Sequence, residues 1–141
     1  LCVIVHYEAL RLTSLLIPRL TIPPRPKVLV VIAAVFLAHL AEIIIFAVTY
    51  RLMQPFPQLG EIAGHFSRSA VDYFYFSITS FTTLGIGDLF PHGAYRIVVG
   101  FESLTGFGLI GWSVSFTYLV MQEFWTQHDH RSKRKTGHDE G

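Results

Sequence analysis

Two long apolar segments and a short one between them form the main pattern along this chain. Residues 28–50 read VLVVIAAVFLAHLAEIIIFAVTY. As a helix rising about 1.5 Å per residue, this segment is about 35 Å long, enough to cross a bilayer core of about 30 Å. The second long segment covers residues 93–125. We predict an outer transmembrane helix at 28–50 and an inner transmembrane helix at 93–125.

The short apolar run, VDYFYFSITSF, ends at residue 81 and cannot span a bilayer. Ser69 and Asp72 precede its apolar part with the spacing of a capping box, in which the serine caps the helix and the acid reaches back to the serine amide. A chance Ser-x-x-Asp is the alternative interpretation. A short apolar helix between two spans is typical of a re-entrant segment surrounded by other protein. The pattern therefore predicts a re-entrant helix over residues 70–81.

Basic residues flank the two predicted spans and indicate their orientation. Arg19, Arg25 and Lys27 precede the outer helix, and a basic run at 131–135 follows the inner helix. By the positive-inside rule both termini are expected to be cytoplasmic, provided that residues 1–17 do not span. Those residues predict either an interfacial helix or the end of an earlier helix. We divide the chain into residues 1–26, which end in a basic linker, a membrane domain at 27–125 and a charged tail at 126–141.

The composition agrees with a membrane protein. Apolar residues make up 51% of the 141 residues and charged residues only 15%, a balance unlike that of a soluble domain. The net charge of +1 gives no large field for binding nucleic acid. Cys2 is the only cysteine, which excludes an intrachain disulfide and a multi-cysteine zinc site. We expect a protein of the plasma or inner membrane that is surrounded by lipid and carries no organic cofactor.

The loop TTLGIGD, residues 82–88, follows the predicted re-entrant helix directly. Glycine adopts left-handed backbone angles that other residues resist, and alternating such residues with ordinary ones points successive carbonyls the same way. Copies of such a strand around an axis form rings of oxygen that replace the water around an ion. One chain cannot enclose an ion in this manner, so the loop implies an oligomer.

The order of outer helix, short helix, TTLGIGDLFP and inner helix resembles the pore of the two-helix potassium channel family. The resemblance covers roughly residues 28–125. It implies an all-α membrane protein with a re-entrant pore helix and a selectivity filter, assembled as a homotetramer around a central pore for K⁺ and related monovalent cations. It also implies that carbonyls and one hydroxyl coordinate K⁺, that a second glycine closes the filter and that an acid lies at the outer mouth. In this chain those residues are Thr83 (carbonyl and hydroxyl), Leu84, Gly85 and Ile86 as K⁺ ligands, Gly87 as the closing glycine, and Asp88 at the mouth.

The sequence departs from this family at three positions. Ile86 stands where relatives usually carry tyrosine or phenylalanine, so the hydroxyl that would anchor the filter to the pore helix is missing. We therefore expect faster inactivation or weaker rejection of sodium. Tyr75-Phe76 replaces a pair of tryptophans found in many relatives. Thr79 replaces an acid that in some relatives pairs with the filter aspartate, and we predict that Tyr75 pairs with Asp88 instead.

His39, Glu42 and Glu102 are ionisable and lie inside the predicted spans, away from the ends. Charges at such depth are costly and are functional candidates by default. Depths estimated from the helical rise place both acids level with the pore helix. We predict one polar cluster of these residues with Ser80 behind the filter, either as a packing network or as a proton-sensitive brace. His39 and Glu42 alone are too few ligands for a metal site.

The inner helix contains the candidate gate. By family resemblance, Gly106 is the expected hinge, although a glycine here also permits close helix packing. Below it lies an apolar stripe at helical spacing: Ile110, Val114, Thr117, Tyr118 and Met121. We select Val114 and Tyr118 as gate residues, because an apolar constriction can close a pore by dewetting. A lipid-facing stripe is the alternative.

We predict a potassium-selective channel rather than an enzyme. A weakly selective monovalent cation channel is the nearest alternative, because of Ile86. The sequence GIGD also matches the motif of intramembrane aspartyl proteases, which need a second intramembrane aspartate that the predicted spans lack. A membrane interaction protein that does not conduct is a third alternative.

Overall fold

The computed structural model describes residues 1–136, and their side chains except those of residues 24–25 and 124–136. The fold is mostly helical, which agrees with the predicted class. Its elements are α1 (Cys2–Leu16), a 3₁₀ turn (Ile17–Arg19), α2 (Pro24–Met53), a second 3₁₀ turn (Pro57–Leu59), β1 (Ile62–Gly64), α3 (Ala70–Phe81), β2 (Leu89–Pro91) and α4 (Tyr95–Thr136). Residues 137–141, the end of the predicted tail, lie outside the described residues.

Two of the described helices are long and apolar enough to cross a membrane, over Pro26–Met53 and Tyr95–Glu123. Large apolar side chains along both remain exposed on the single chain, Phe36 at 70% and Phe107 at 73% among them. An apolar surface of this extent is stable in contact with lipid or with other chains, not with water. The two predicted transmembrane helices are therefore present.

The ends of these helices differ from the predicted ones for local backbone reasons. α2 begins at Pro24 because proline is tolerated in the first helical turn, where the amide has no intrahelical partner. α4 begins only at Tyr95 because Gly93 takes a left-handed φ of +61°. At its other end α4 continues to Thr136, past the end of the apolar pattern, and the sequence offers no glycine or proline before Gly137.

The pore helix α3 covers Ala70–Phe81, the residues that the capping box indicated. The Ser69 hydroxyl accepts from the Asp72 amide at 3.1 Å, and the Asp72 carboxylate accepts from the Ser69 amide at 3.2 Å. The same carboxylate accepts from the Ser67 amide and hydroxyl. These bonds, the one from the Ser67 hydroxyl first, lower the pKa of Asp72 below its usual value, so the cap persists at neutral pH and weakens only in acid.

A two-stranded antiparallel sheet outside the spans was not predicted. β1 pairs with β2 in the register Ile62↔Pro91, Ala63↔Phe90 and Gly64↔Leu89. Gly64 has a φ of +110°, and a Cβ there would lie 2.0 Å from the Asp88 carbonyl oxygen. Two strands of three residues leave no detectable period in the sequence. The sheet fixes the chain that leaves the TTLGIGD loop.

Helix α1 packs against α2 and α4. Its buried side chains recur at helical spacing and form one stripe: Cys2, His6, Leu10 and Thr13, with Ile17 after the helix end. Cys2 belongs to an apolar cluster with Ile43, Phe81 and Leu109, so α1 starts beside the end of the pore helix. This packing favours a helix within the bundle over one lying flat on the membrane surface.

Candidate functional site

The TTLGIGD loop begins on the last turn of α3 and is fixed there by backbone hydrogen bonds. The amides of Thr82, Thr83 and Gly85 donate to the carbonyls of Ile78, Ser80 and Thr79 at 3.0–3.1 Å. These carbonyls belong to the end of a helix, where they lack intrahelical partners. The start of the loop is thus set by the helix end rather than by side chains.

Left-handed backbone angles alternate along the loop. Thr83 has φ +58°, Gly85 +51° and Gly87 +89°, whereas Leu84 and Ile86 have negative φ. This is the alternation that aligns successive carbonyls. It begins at Thr83, two residues before the first glycine of the loop. A left-handed threonine costs roughly 1–2 kcal/mol, so its conformation has to be imposed by the surrounding structure. Sequence reasoning did not find it, because threonine gives no signal for positive φ.

The loop faces open space on the single chain. Leu84 is 66% exposed and Ile86 59% exposed. A Cβ built on Gly85 or Gly87 meets no atom of the described residues within 4 Å. The Thr83 hydroxyl makes no hydrogen bond within the part of the chain that the structure describes. One side of the loop is therefore held by α3, and the other is available to further copies of the chain.

Asp88 ends the loop and contacts the pore helix. The Tyr75 hydroxyl lies 3.1 Å and 3.0 Å from the two carboxylate oxygens of Asp88. The Leu89 amide donates to the same carboxylate at 3.0 Å. The predicted pairing of Tyr75 with Asp88 is confirmed.

Glu102 lies in a buried polar cluster between α2, α3 and α4. The Tyr50 hydroxyl donates to one of its carboxylate oxygens, and Ser77 Oγ lies 2.5 Å from the other. Ser77 Oγ is also 2.8 Å from the Ile43 carbonyl oxygen. Glu102 and Ser77 are fully buried. The cluster joins the middle of the pore helix to both spans.

Glu42 lies in a second cluster, separate from the first. Its carboxylate oxygens are 2.9 Å from His6 Nδ1 and 2.9 Å from His39 Nδ1. On the other side of the two rings, Ser113 Oγ lies 3.1 Å from each Nε2.

The prediction of one cluster was therefore wrong. Glu42 and Glu102 have no common hydrogen-bond partner among the described residues, and Ser80 belongs to neither group, because its hydroxyl donates to the Phe76 carbonyl. Sequence reasoning missed His6 and Ser113 as partners because they are distant in sequence. His6 lies 36 positions from Glu42, and Ser113 lies 107 positions from His6. The apolar stripe around His6 was the one available signal for its burial.

Comparison with known protein families decides the identification. The model of a family described as "Ion channel" matches residues 29–123, from the second turn of α2 to Glu123 in α4. The chain belongs to this ion channel family. Comparisons with curated proteins and with solved structures gave no match. The channel is accordingly not an enzyme, and the aspartyl protease alternative has no support.

Gly106 of the channel lies where α4 crosses the end of the pore helix. A Cβ at this position would be 2.1 Å from the Phe81 carbonyl oxygen and 3.0 Å from Phe81 Cδ1. The Ser103 hydroxyl, one turn away, donates to the Ser80 carbonyl at 2.9 Å. Close packing explains the glycine directly, and its role as a hinge stays a prediction.

The proposed gate residues Val114 and Tyr118 are 65% and 55% exposed. Both line an apolar groove of about 740 Å³ between α4 and α2. Phe81 and Thr82, at the end of the pore helix, also line this groove. The predicted apolar stripe on α4 is thus present in the channel, and the role of Val114 and Tyr118 as a gate stays a prediction.

Replacing Tyr75 with phenylalanine removes the hydroxyl that contacts Asp88. We expect the outer end of the TTLGIGD loop to become less rigid and the current to decay about two- to fivefold faster during sustained opening, as for loss of one hydrogen bond. Tyr73→Phe is the matched control, because Tyr73 lies on the same helix α3 but its hydroxyl donates to Gln54, at the end of α2, and not to Asp88. Equal decay in both variants, measured under voltage clamp, would contradict a role for the Tyr75–Asp88 contact.

Proposed function

We propose that four copies of this channel assemble around residues 83–87 and conduct potassium ions selectively. The supporting observation is the left-handed φ at every second position, 83, 85 and 87, on a loop whose far side is open. Four such strands around an axis present rings of carbonyl oxygen that replace the hydration shell of an ion. The proposed ligands are the carbonyls of residues 83–86 and the Thr83 hydroxyl.

Two further features favour a cation in this pathway. The pore helix ends at the start of the loop, so the negative end of its dipole is directed at the innermost ring. At the opposite end, the Asp88 carboxylate is exposed and attracts cations to the mouth. Both terms act on any monovalent cation. Selectivity for potassium has to come from the spacing and rigidity of the carbonyl rings.

The test is flux through the purified channel in liposomes loaded with potassium. We expect efflux that external or internal barium blocks, because barium has nearly the size of potassium but twice its charge and so binds a carbonyl site more tightly. A reversal potential measured in mixed potassium and sodium separates a selective pore from a weakly selective one. Absence of flux in folded protein would favour a membrane interaction protein instead.

The side chain at position 86 bears on whether the channel selects potassium or conducts monovalent cations with weak selectivity. We expect Ile86→Tyr to slow inactivation about fivefold, since a new hydroxyl that reaches the pore helix adds about 1 kcal/mol per hydrogen bond. Ile86→Phe is the matched control, because it adds the ring without the hydroxyl. Inactivation and the potassium-to-sodium permeability ratio are measured for both. If Phe and Tyr behave alike, ring packing rather than the missing hydroxyl controls the filter.

A further inference from the structure

The cluster around Glu42 joins three helices at one buried point. His6 comes from α1, His39 and Glu42 from α2, and Ser113 from α4. The two imidazole rings stack at 5.1 Å between centroids, with 26° between their planes. The carboxylate bridges the Nδ1 edges of the rings, and the serine hydroxyl bridges their Nε2 edges. No sequence motif connects these four residues.

The buried carboxylate of Glu42 has no permanently charged cation to balance it. His6 and Glu42 have no exposed surface, and the His39 side chain is 15% exposed. Among the described side chains, the ion-pair partners of Glu42 within 4 Å are the two histidines, and no lysine or arginine is among them. An ionised carboxylate at membrane depth is costly without a cation. Either extra protons or a metal ion has to supply the positive charge.

The donors and acceptors of the cluster exclude two neutral rings that both donate to Glu42, and they fit either one imidazolium beside a neutral ring or a metal ion. If both neutral rings donate from Nδ1 to Glu42, both Nε2 atoms are acceptors, and the single Ser113 hydrogen satisfies only one of them. If a metal ion instead occupies the two Nδ1 atoms, both Nε2 atoms carry hydrogens. The two lone pairs of Ser113 Oγ then accept both, which matches its equal 3.1 Å distances. Orientation of ligating histidines by such outer partners is usual in metal sites.

We propose that His6, His39 and Glu42 form a binding site for a divalent transition-metal ion of the zinc class. One ligand atom from each residue lies within 4.8 Å of the others. Zinc bonds of about 2.0–2.1 Å bring tetrahedral ligands to roughly 3.4 Å from one another, so the ligand atoms need only small shifts to bind the ion. Two imidazoles and one carboxylate suit zinc and leave a fourth position for water. The permeant ions are unsuited, since they prefer oxygen ligands.

The ion would fasten α1 to the pore domain. His39 also packs against Phe81, with 5.8 Å between ring centroids, and Phe81 is the last residue of the pore helix. The site thus lies one side chain away from the start of the TTLGIGD loop. Metal binding to the folded state stabilises it in proportion to the logarithm of the metal concentration. The site does not depend on which ion the pore selects.

The experiment measures zinc bound to the full chain, purified without a polyhistidine tag and stripped with a chelator. We expect one zinc per chain after gel filtration, and a cobalt complex with the strong visible absorption of a four-coordinate site. His6→Gln and Glu42→Gln should each lower the affinity at least tenfold. The matched control is His65→Gln with His92→Gln, two residues of the loops outside the spans, which should change nothing. His128→Gln with His130→Gln removes the competing pair in the sequence of the C-terminal segment.

A third variant protects the test against misfolding. Ser113→Ala keeps all three ligands but removes the acceptor of both Nε2 atoms, so we expect a roughly tenfold loss of affinity in a protein that elutes as the wild type does. The proposal is overturned if the wild type retains no zinc, or if zinc is lost only with His128 and His130. Zinc binding without potassium flux would contradict the proposed function alone, and flux without zinc binding would contradict this site alone.

Discussion

Gly106→Ala is expected to prevent the channel from reaching its folded, conducting state. The added methyl group would lie 2.1 Å from the Phe81 carbonyl oxygen, which is main chain at the end of the pore helix and cannot rotate away. Relief requires α4 to move by more than 1 Å from α3, as judged from a carbon–oxygen contact of about 3.4 Å. Overpacking of this kind usually costs about 1–3 kcal/mol, here once in every subunit. Thermal unfolding and flux in liposomes measure the loss.

Gly108→Ala is the matched control in the same helix. A Cβ at Gly108 meets no atom within 4 Å in the described part of the chain, and alanine is the better helix former by about 1 kcal/mol. This variant should fold at least as well as the wild type. The pair also separates the two roles considered for Gly106. A hinge predicts that Gly106→Ala yields a folded channel with altered opening, and recovery of stable, folded Gly106→Ala protein would contradict the packing explanation.

Gly85→Ala and Gly87→Ala are expected to abolish conduction while leaving the helices intact. Both glycines have left-handed φ, +51° and +89°. An L-residue there costs roughly 1–2 kcal/mol per position, and in the proposed tetramer four copies would add these costs around one axis. The backbone then relaxes toward negative φ, which turns a carbonyl away from the proposed ion path. Liposome flux gives the readout, with circular dichroism to verify helix content.

Gly100→Ala provides the comparison for the filter variants. Gly100 lies in α4, its φ is not left-handed, and among the residues that the structure describes a Cβ there meets no atom within 4 Å. The Gly100→Ala channel should therefore conduct as the wild type does. Normal potassium flux through Gly85→Ala would show that left-handed backbone at that position is not required, and the proposed filter would have to be abandoned.

The pore helix and its contact with the loop could be predicted because their causes are local. The cap at Ser69 and Asp72 depends on a spacing of three residues, and α3 has the bounds that it indicated. The Tyr75–Asp88 contact was predicted because Thr79 stands where some members of the resembling family carry an acid that pairs with the aspartate. Glycine at 85 and 87 likewise carries its backbone preference in the sequence itself.

Contacts between distant segments could not be predicted in the same way. Depth along a helix placed Glu42 and Glu102 at similar levels, but depth says nothing about which side of the bundle a residue faces. The structure separates them into two clusters, each completed by residues that no spacing rule connects: Tyr50 and Ser77 for Glu102, and His6 and Ser113 for Glu42. Gly106 was chosen by resemblance as a hinge, and only its distance to Phe81 gives it a packing role.

The sequence by itself determined the two spans, the re-entrant helix and the alternation of glycines in the loop, because hydrophobic length, capping and glycine freedom act over a few neighbouring residues. The tertiary structure decided that Thr83 also takes a left-handed angle, that two short strands hold the outer end of the loop, and that His6 joins His39 and Glu42. Each of these depends on the rotation of one helix against another or on strain supplied by the surroundings. Such quantities are set by packing over the whole chain and leave no local pattern.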